Sequence, residues 1–172
     1  RLAEAGRGMR THTLPRWMGG LWVGLVLVAP ASVVSAGVSD ETYAQVQTAF
    51  LHERFDRVVA LVGPLVVDPA IEDRVTRLWL WYALSLERLQ RANDALREVE
   101  RLKNALSTSH FVGAVNVWPE ILFWEGEISR KAFQMVRARL AYQRLLIHSP
   151  GSSWRPQAQL GLGLVLFHQQ AY

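Results

Sequence analysis

The side chains able to do acid–base or metal chemistry are dispersed along this chain. Of five histidines, His12 lies near the start, while His52, His110, His148 and His168 fall at helix ends and loops. No two have the i,i+4 spacing that brings both imidazoles to one helix face, and no HExxH occurs. A metal needs convergent ligands, so these read as surface or capping histidines and no metal site is expected. Among the carboxylates, Glu98 and Glu100 are two apart on a helix and face different ways. Glu120, Glu125 and Glu127 are closer to an acid–base arrangement, because Glu120 and Glu127 share a face at i,i+7. Two carboxylates on one face are the raw material of a hydrolase, but a solvated charged face is the simpler reading.

Nucleophile and phosphate chemistry find no better footing. G-x-S-x-G is absent, and the glycines of Leu160-Gly161-Leu162-Gly163-Leu164 lack both GxGxxG spacing and a preceding strand. They read as helix-contact glycines. There is no cysteine, which removes disulfides, thiolate chemistry, Cys-based zinc sites and a lipid-anchoring leader together. Seven tryptophans are many. Trp79, Trp81, Trp118, Trp124 and Trp154 lie outside the leader; stacking on a sugar or a base is one use for them, and packing, which buries large areas, is the commoner one. We therefore expect no catalytic residue and no cofactor.

The charge balance narrows the partners. The chain carries a formal +4, but residues 1–36 hold Arg1, Arg7, Arg10 and Arg16 against Glu4 alone, so the rest has one net positive charge. Binding to phosphates needs clustered Lys/Arg, and no nucleic-acid partner is expected. The first methionine is Met9, and residues 1–8 are expected to be upstream read-through. Met9 to Ala36 has the parts of a secretory signal. Arg10 and Arg16 are its positive region, Met18 to Ala29 its apolar stretch, and Pro30 and Val34-Ser35-Ala36 a break and cleavage site after Ala36. The alternative is a retained anchor, since the uncharged run Trp17 to Ser39 is long enough to span a bilayer. Either way the body is expected outside the cytoplasm, in a periplasm, since Arg10 and Arg16 precede the apolar stretch and Asp40 and Glu41 follow it. Membrane contact is expected only through an uncleaved leader.

The elements that position these residues are helices. From Ser39 onward apolar residues recur at helical spacing with almost no period-two alternation. Ser39-Asp40 opens a helix toward His52, and Phe55 to Val62 follows, disturbed at Gly63-Pro64. Asp68-Pro69 reads as a capped restart of a helix to about Leu89. Another spans Asp94 to Leu106. Ser107 to Trp118 is expected to be a loop, Pro119 to begin the next helix, Lys131 to His148 to form another, and Gln157 to His168 to open the last. Apolar residues make up half of the chain, enough for a packed body.

Pairs of helices in series call for a repeat test. From Pro119, Gly126, Ala138, Tyr142, Leu145 and Pro150 stand at small–small–aromatic–aliphatic–proline spacing. Trp79, Ala83, Ala95 and Leu102 match in the preceding pair, and Leu162-Gly163 in the last. The series resembles the tetratricopeptide repeat family, with units about 39–68, 72–107, 119–150 and 156–172, in spite of irregular spacing. The stretch from Arg139 to Pro150 is similar to exported bacterial envelope members. The resemblance implies an all-α right-handed solenoid of helix-turn-helix units, cut short at its C-terminus, after the N-terminal signal helix. Gly126→Leu or Ala138→Trp should then overpack it, at a cost of about 1–3 kcal/mol.

The resemblance also implies an inner groove lined by the first helix of each unit. Carried onto this sequence, that groove comprises Arg77, Leu80, Leu84, Glu87 and Arg88, then Glu120, Phe123, Glu127, Arg130 and Lys131, then Gln157, Leu160, Leu164, Phe167 and His168. Apolar anchors among charges suit a peptide or helix ligand, although Leu80, Leu84 and Leu164 serve equally as core. The expectation is a scaffold or adaptor with a protein partner in the bacterial cell envelope. The alternative is an appendage of a larger exported enzyme or ligand-binding protein whose functional domain lies beyond residue 172.

Overall fold

The computed structural model describes residues 38–67 and 70–170. The expected leader and its cleavage site at Ala36, the Asp68-Pro69 restart and Tyr172 lie outside the described residues. Within them the fold is all-α. Seven helices follow in order: α1 Asp40–Leu51, α2 Phe55–Val62, α3 Asp73–Arg88, α4 Ala92–Thr108, α5 Ala114–Lys131, α6 Met135–His148 and α7 Arg155–Gln170. Each packs antiparallel against the next, and α1 also touches α3, α3 touches α5, and α5 touches α7. Among the described residues no helix is long and apolar enough to cross a membrane.

Local chemistry sets several boundaries. The Ser39 hydroxyl accepts from the Thr42 amide and caps α1, satisfying a donor that would otherwise be orphaned. After α2, Pro64 sits near the start of a single 3-10 turn, Gly63–Val66, because it cannot supply the amide that an α-helix needs there. The tighter winding turns Val66 inward and leaves Leu65 exposed.

Two expected boundaries move. The stretch Ser107 to Trp118 is mostly helical, with α4 running to Thr108 and α5 beginning at Ala114. Pro119 lies inside α5 rather than at its start. Ala114, Val117 and Trp118 pack against the core, and that burial extends the helix past the proline. Lys131 ends α5 instead of beginning α6.

The three hairpins α1–α2, α3–α4 and α5–α6 close with the same turn. Glu53, Gln90 and Phe133 occupy the left-handed region at φ 55°, 62° and 58°. At each, the residue's amide reaches back to a carbonyl three residues earlier (Phe50, Glu87, Arg130). The next amide reaches one five residues earlier (Ala49, Leu86, Ser129). This is the Schellman closure of a helix C-terminus, which usually recruits glycine; here it has none.

Equivalent core positions follow from those turns. Val46, Ala83 and Gly126 correspond in the first helices, as do Val58, Ala95 and Ala138, and Val62, Val99 and Tyr142, in the second. All are buried. The core is continuous from α1 to α5, and a second cluster of Leu122, Phe123, Ala138, Tyr142, Leu145, Ala158 and Val165 joins α5, α6 and α7.

Candidate functional site

The residues expected to line a groove do come from helices that lie side by side, but they engage one another. Arg77 on α3 donates to Glu120 on α5, with Nη1 to Oε2 at 3.2 Å, and Lys131 Nζ on α5 donates to Glu87 Oε1 on α3 at 3.0 Å. The ties occur in the same order along both helices, so α3 and α5 run in the same direction. Arg88 lies 3.6 Å from Glu87 and is exposed. Leu80, Leu84 and Phe123 are buried and belong to the core. For Leu80 and Leu84 this is the alternative left open above; for Phe123 it corrects the groove assignment, because its ring is stacked on Trp154. Gln157, Leu160, Leu164, Phe167 and His168 are all exposed on α7.

Glu127 is the most tightly held member. Arg130 Nη2 donates to it at 2.8 Å and Tyr142 Oη at 2.5 Å. Burial opposes its charge, but the hydrogen bonds from Arg130 and Tyr142, with Lys131 nearby, outweigh it and hold the carboxyl below the usual glutamate range. Burial, and then Glu127 itself, pushes the Tyr142 phenol up. Glu120 and Glu127, the two carboxylates read as a possible acid–base pair, are thus bound to different cations.

A depressed carboxylate stabilises the fold above its unfolded pKa, and that contribution fades as pH falls through the folded value. Tyr142→Phe should cost about 1.5 kcal/mol at neutral pH. The gap between variant and parent should close below pH ~4, as read by urea unfolding across pH. A gap that stays constant in acid would show that Glu127 is not the acceptor that matters.

The tryptophans are packing groups. Trp79 Nε1 donates to Glu98 at 3.0 Å, with Arg101 over its ring. Trp81, which points away from Trp79, stacks on Phe50 of α1 at 5.4 Å. Trp154 stacks on Phe123 at 4.8 Å. Trp118 lies within α5 rather than at its start.

Sequence reading missed a second cluster, on the opposite side of α5. Glu125 is 4% exposed and accepts from Lys103 Nζ of α4 at 2.9 Å and from Arg137 Nε of α6 at 3.1 Å. Glu100 of α4 accepts from the same two cations at 3.2 Å each. Two carboxylates and two cations therefore form a ring joining three helices. The ring lies on a cleft of about 570 Å³ whose other walls include Phe133, Met135, Val136, Leu140 and Arg144. Further along, Leu106, Val115, Trp118 and His148 line an apolar hollow of about 310 Å³. The signal for the ring was obscured because its members are scattered between residues 100 and 137, and only packing brings them together. Among the described residues no three His, Asp or Glu side chains converge on a cation-sized site.

Comparison with family models, with curated proteins and with solved structures finds no match to this chain.

Proposed function

We propose that this chain is a tetratricopeptide-like right-handed solenoid acting as an exported scaffold in the bacterial cell envelope, where it holds a protein partner. The observation that carries the reading is the threefold recurrence of one hairpin, with the same left-handed turn at Glu53, Gln90 and Phe133 and the same buried positions around it. Units of this kind cannot bury their apolar faces singly and do so by stacking. Parallel neighbours α3 and α5 are what such stacking produces. The leader supports export, and the absence of a basic surplus in the body favours protein over nucleic acid. No reaction is assigned. The partner surface is placed on the exposed part of the expected inner face, around Arg88, Gln157, Phe167 and His168.

Affinity capture of the full chain from crosslinked envelopes, beside an Arg88→Glu/Phe167→Glu version, tests this. Both residues are exposed, so the fold should survive. A reproducible envelope partner lost from the double variant is expected. Capture unchanged by it would remove the inner face from consideration, and a chain recovered from the cytoplasm would overturn the export.

A further inference from the structure

The repeated hairpin provides its own control for surface chemistry. Counting from the left-handed turn, the outward positions of α4 are Gln90, Asn93, Arg97 and Asn104, all polar and exposed. The equivalents around α6 are Phe133, Val136, Leu140 and Ile147. They are 83%, 58%, 44% and 70% exposed. At four matched positions one helix is wholly polar and the other wholly apolar. The inner face of α6 is already occupied by Ala138, Ala141, Tyr142 and Leu145, all buried. A helix that is apolar on both sides has a second surface to cover.

Phe133 sharpens the anomaly. The same turn position carries Glu53 and Gln90 in the other hairpins. A bulky exposed aromatic with positive φ is unfavourable twice, in backbone and in solvation. It belongs to the same cleft as Val136 and Leu140.

Spacing and charge define what fits. Phe133 in the turn and Val136, Leu140 and Ile147 on α6 line up on one side, interrupted only by Gln143, an apolar stripe at helical spacing. Arg137, Arg139 and Arg144 flank the stripe, and Arg144 makes no ion pair among the described residues. Two α6 stripes facing each other would oppose arginines in either direction, so a second copy is disfavoured. The bed is a cleft: the backbones of α4 and α6 stay apart, α5 floors the gap between them, and side chains bridge it at Glu100–Arg137 and Asn93–Gln134. Concavity favours a helix over a flat lipid surface.

We propose that the channel between α4 and α6 binds an amphipathic helix of another protein, with apolar residues at helical spacing seated on Phe133, Val136, Leu140 and Ile147 and acidic residues along its edge meeting Arg144. This surface lies on the even-numbered helices, and the proposal does not rest on the inner-face reading.

The probe is a fluorescein-labelled, three-heptad helical peptide with leucine at a and d and glutamate at e and g, beside the same peptide with lysine at e and g. Fluorescence anisotropy with the full chain should show saturable binding of the acidic peptide and much weaker binding of the basic one. Leu140→Glu should weaken the acidic peptide roughly 30-fold, as a central apolar anchor does. Arg144→Glu should cost it roughly tenfold and improve the basic peptide. Phe133→Asn keeps a residue that tolerates the left-handed turn, so its loss of affinity cannot come from misfolding. Acidic peptide that binds all three variants equally overturns the proposal, as does equal or absent binding of both peptides. Phosphatidylglycerol vesicles that float the parent but not Leu140→Glu, with neither peptide binding, would replace the helix by a membrane. Arg88→Glu/Phe167→Glu should leave peptide affinity unchanged, which separates this surface from the inner face.

Discussion

Gly126→Leu should lower stability by about 3 kcal/mol, the upper end for overpacking, and the melting temperature by about 10 °C. The Tyr142 ring lies over both Gly126 and Gly161. A Cβ on Gly126 would come within 2.7 Å of three of its carbons, and one on Gly161 within 2.6 Å of Cζ. The ring is fully buried and held from α5 on one side and α7 on the other, so relief from one glycine drives it into the other. Tyr142→Ala should recover part of the loss in Gly126→Leu, a non-additivity expected of residues in contact. Gly163 is the contrast. A Cβ there meets nothing within 4 Å, so Gly163→Ala should stabilise α7 by about 0.5–1 kcal/mol through helix propensity. Loss of stability in Gly163→Ala, with Gly161→Ala neutral, would reverse the assignment of the two glycines.

That pair also shows where sequence reading stops. Leu162-Gly163 was taken as the packing pair of the last unit. Counted from Gly163, Ala158 and Val165 fall where Ile121 and Ile128 are buried around Gly126. Gly161, however, is the glycine against Tyr142, and Gly163 is exposed, no helix after α7 being among the described residues. That Gly161 also meets a neighbour, the ring of Tyr142 on the preceding helix, was not legible from spacing. Helix identities were readable because apolar residues recur at helical spacing through α3, α4 and α6. Ala83, Ala95, Gly126, Ala138 and Tyr142 were readable as contact positions, and all are buried.

The hairpin turns were not readable. Glu53, Gln90 and Phe133 carry none of the glycine or asparagine that usually marks a left-handed cap. The start of α6 was consequently placed at Lys131, four residues early. The groove charges failed for a different reason. Arg77, Glu87, Glu120 and Lys131 were correctly grouped on neighbouring helices, but sequence does not reveal that the helices approach closely enough to pair them.

The buried ring should respond asymmetrically to mutation. Glu125→Leu removes the carboxylate that Lys103, itself only 8% exposed, shares with Arg137. Lys103 then keeps only half-exposed Glu100, and the expected loss is about 3 kcal/mol, the low end for stranding a buried charge. Lys103→Met/Glu125→Leu leaves no stranded charge at the contact between α4 and α5, and Arg137 can extend into solvent. The double variant should return to within about 1 kcal/mol of the parent. Urea unfolding of the parent, both single variants and the double gives the coupling directly. Salt supplies an independent reading. The exposed Arg74–Asp40 pair should be screened at 1 M, whereas the Lys103–Glu125 coupling should persist because water has little access to it. A single-variant loss below about 1 kcal/mol, or a coupling erased by salt, would place the ring in solvent and remove the dry floor from the channel between α4 and α6.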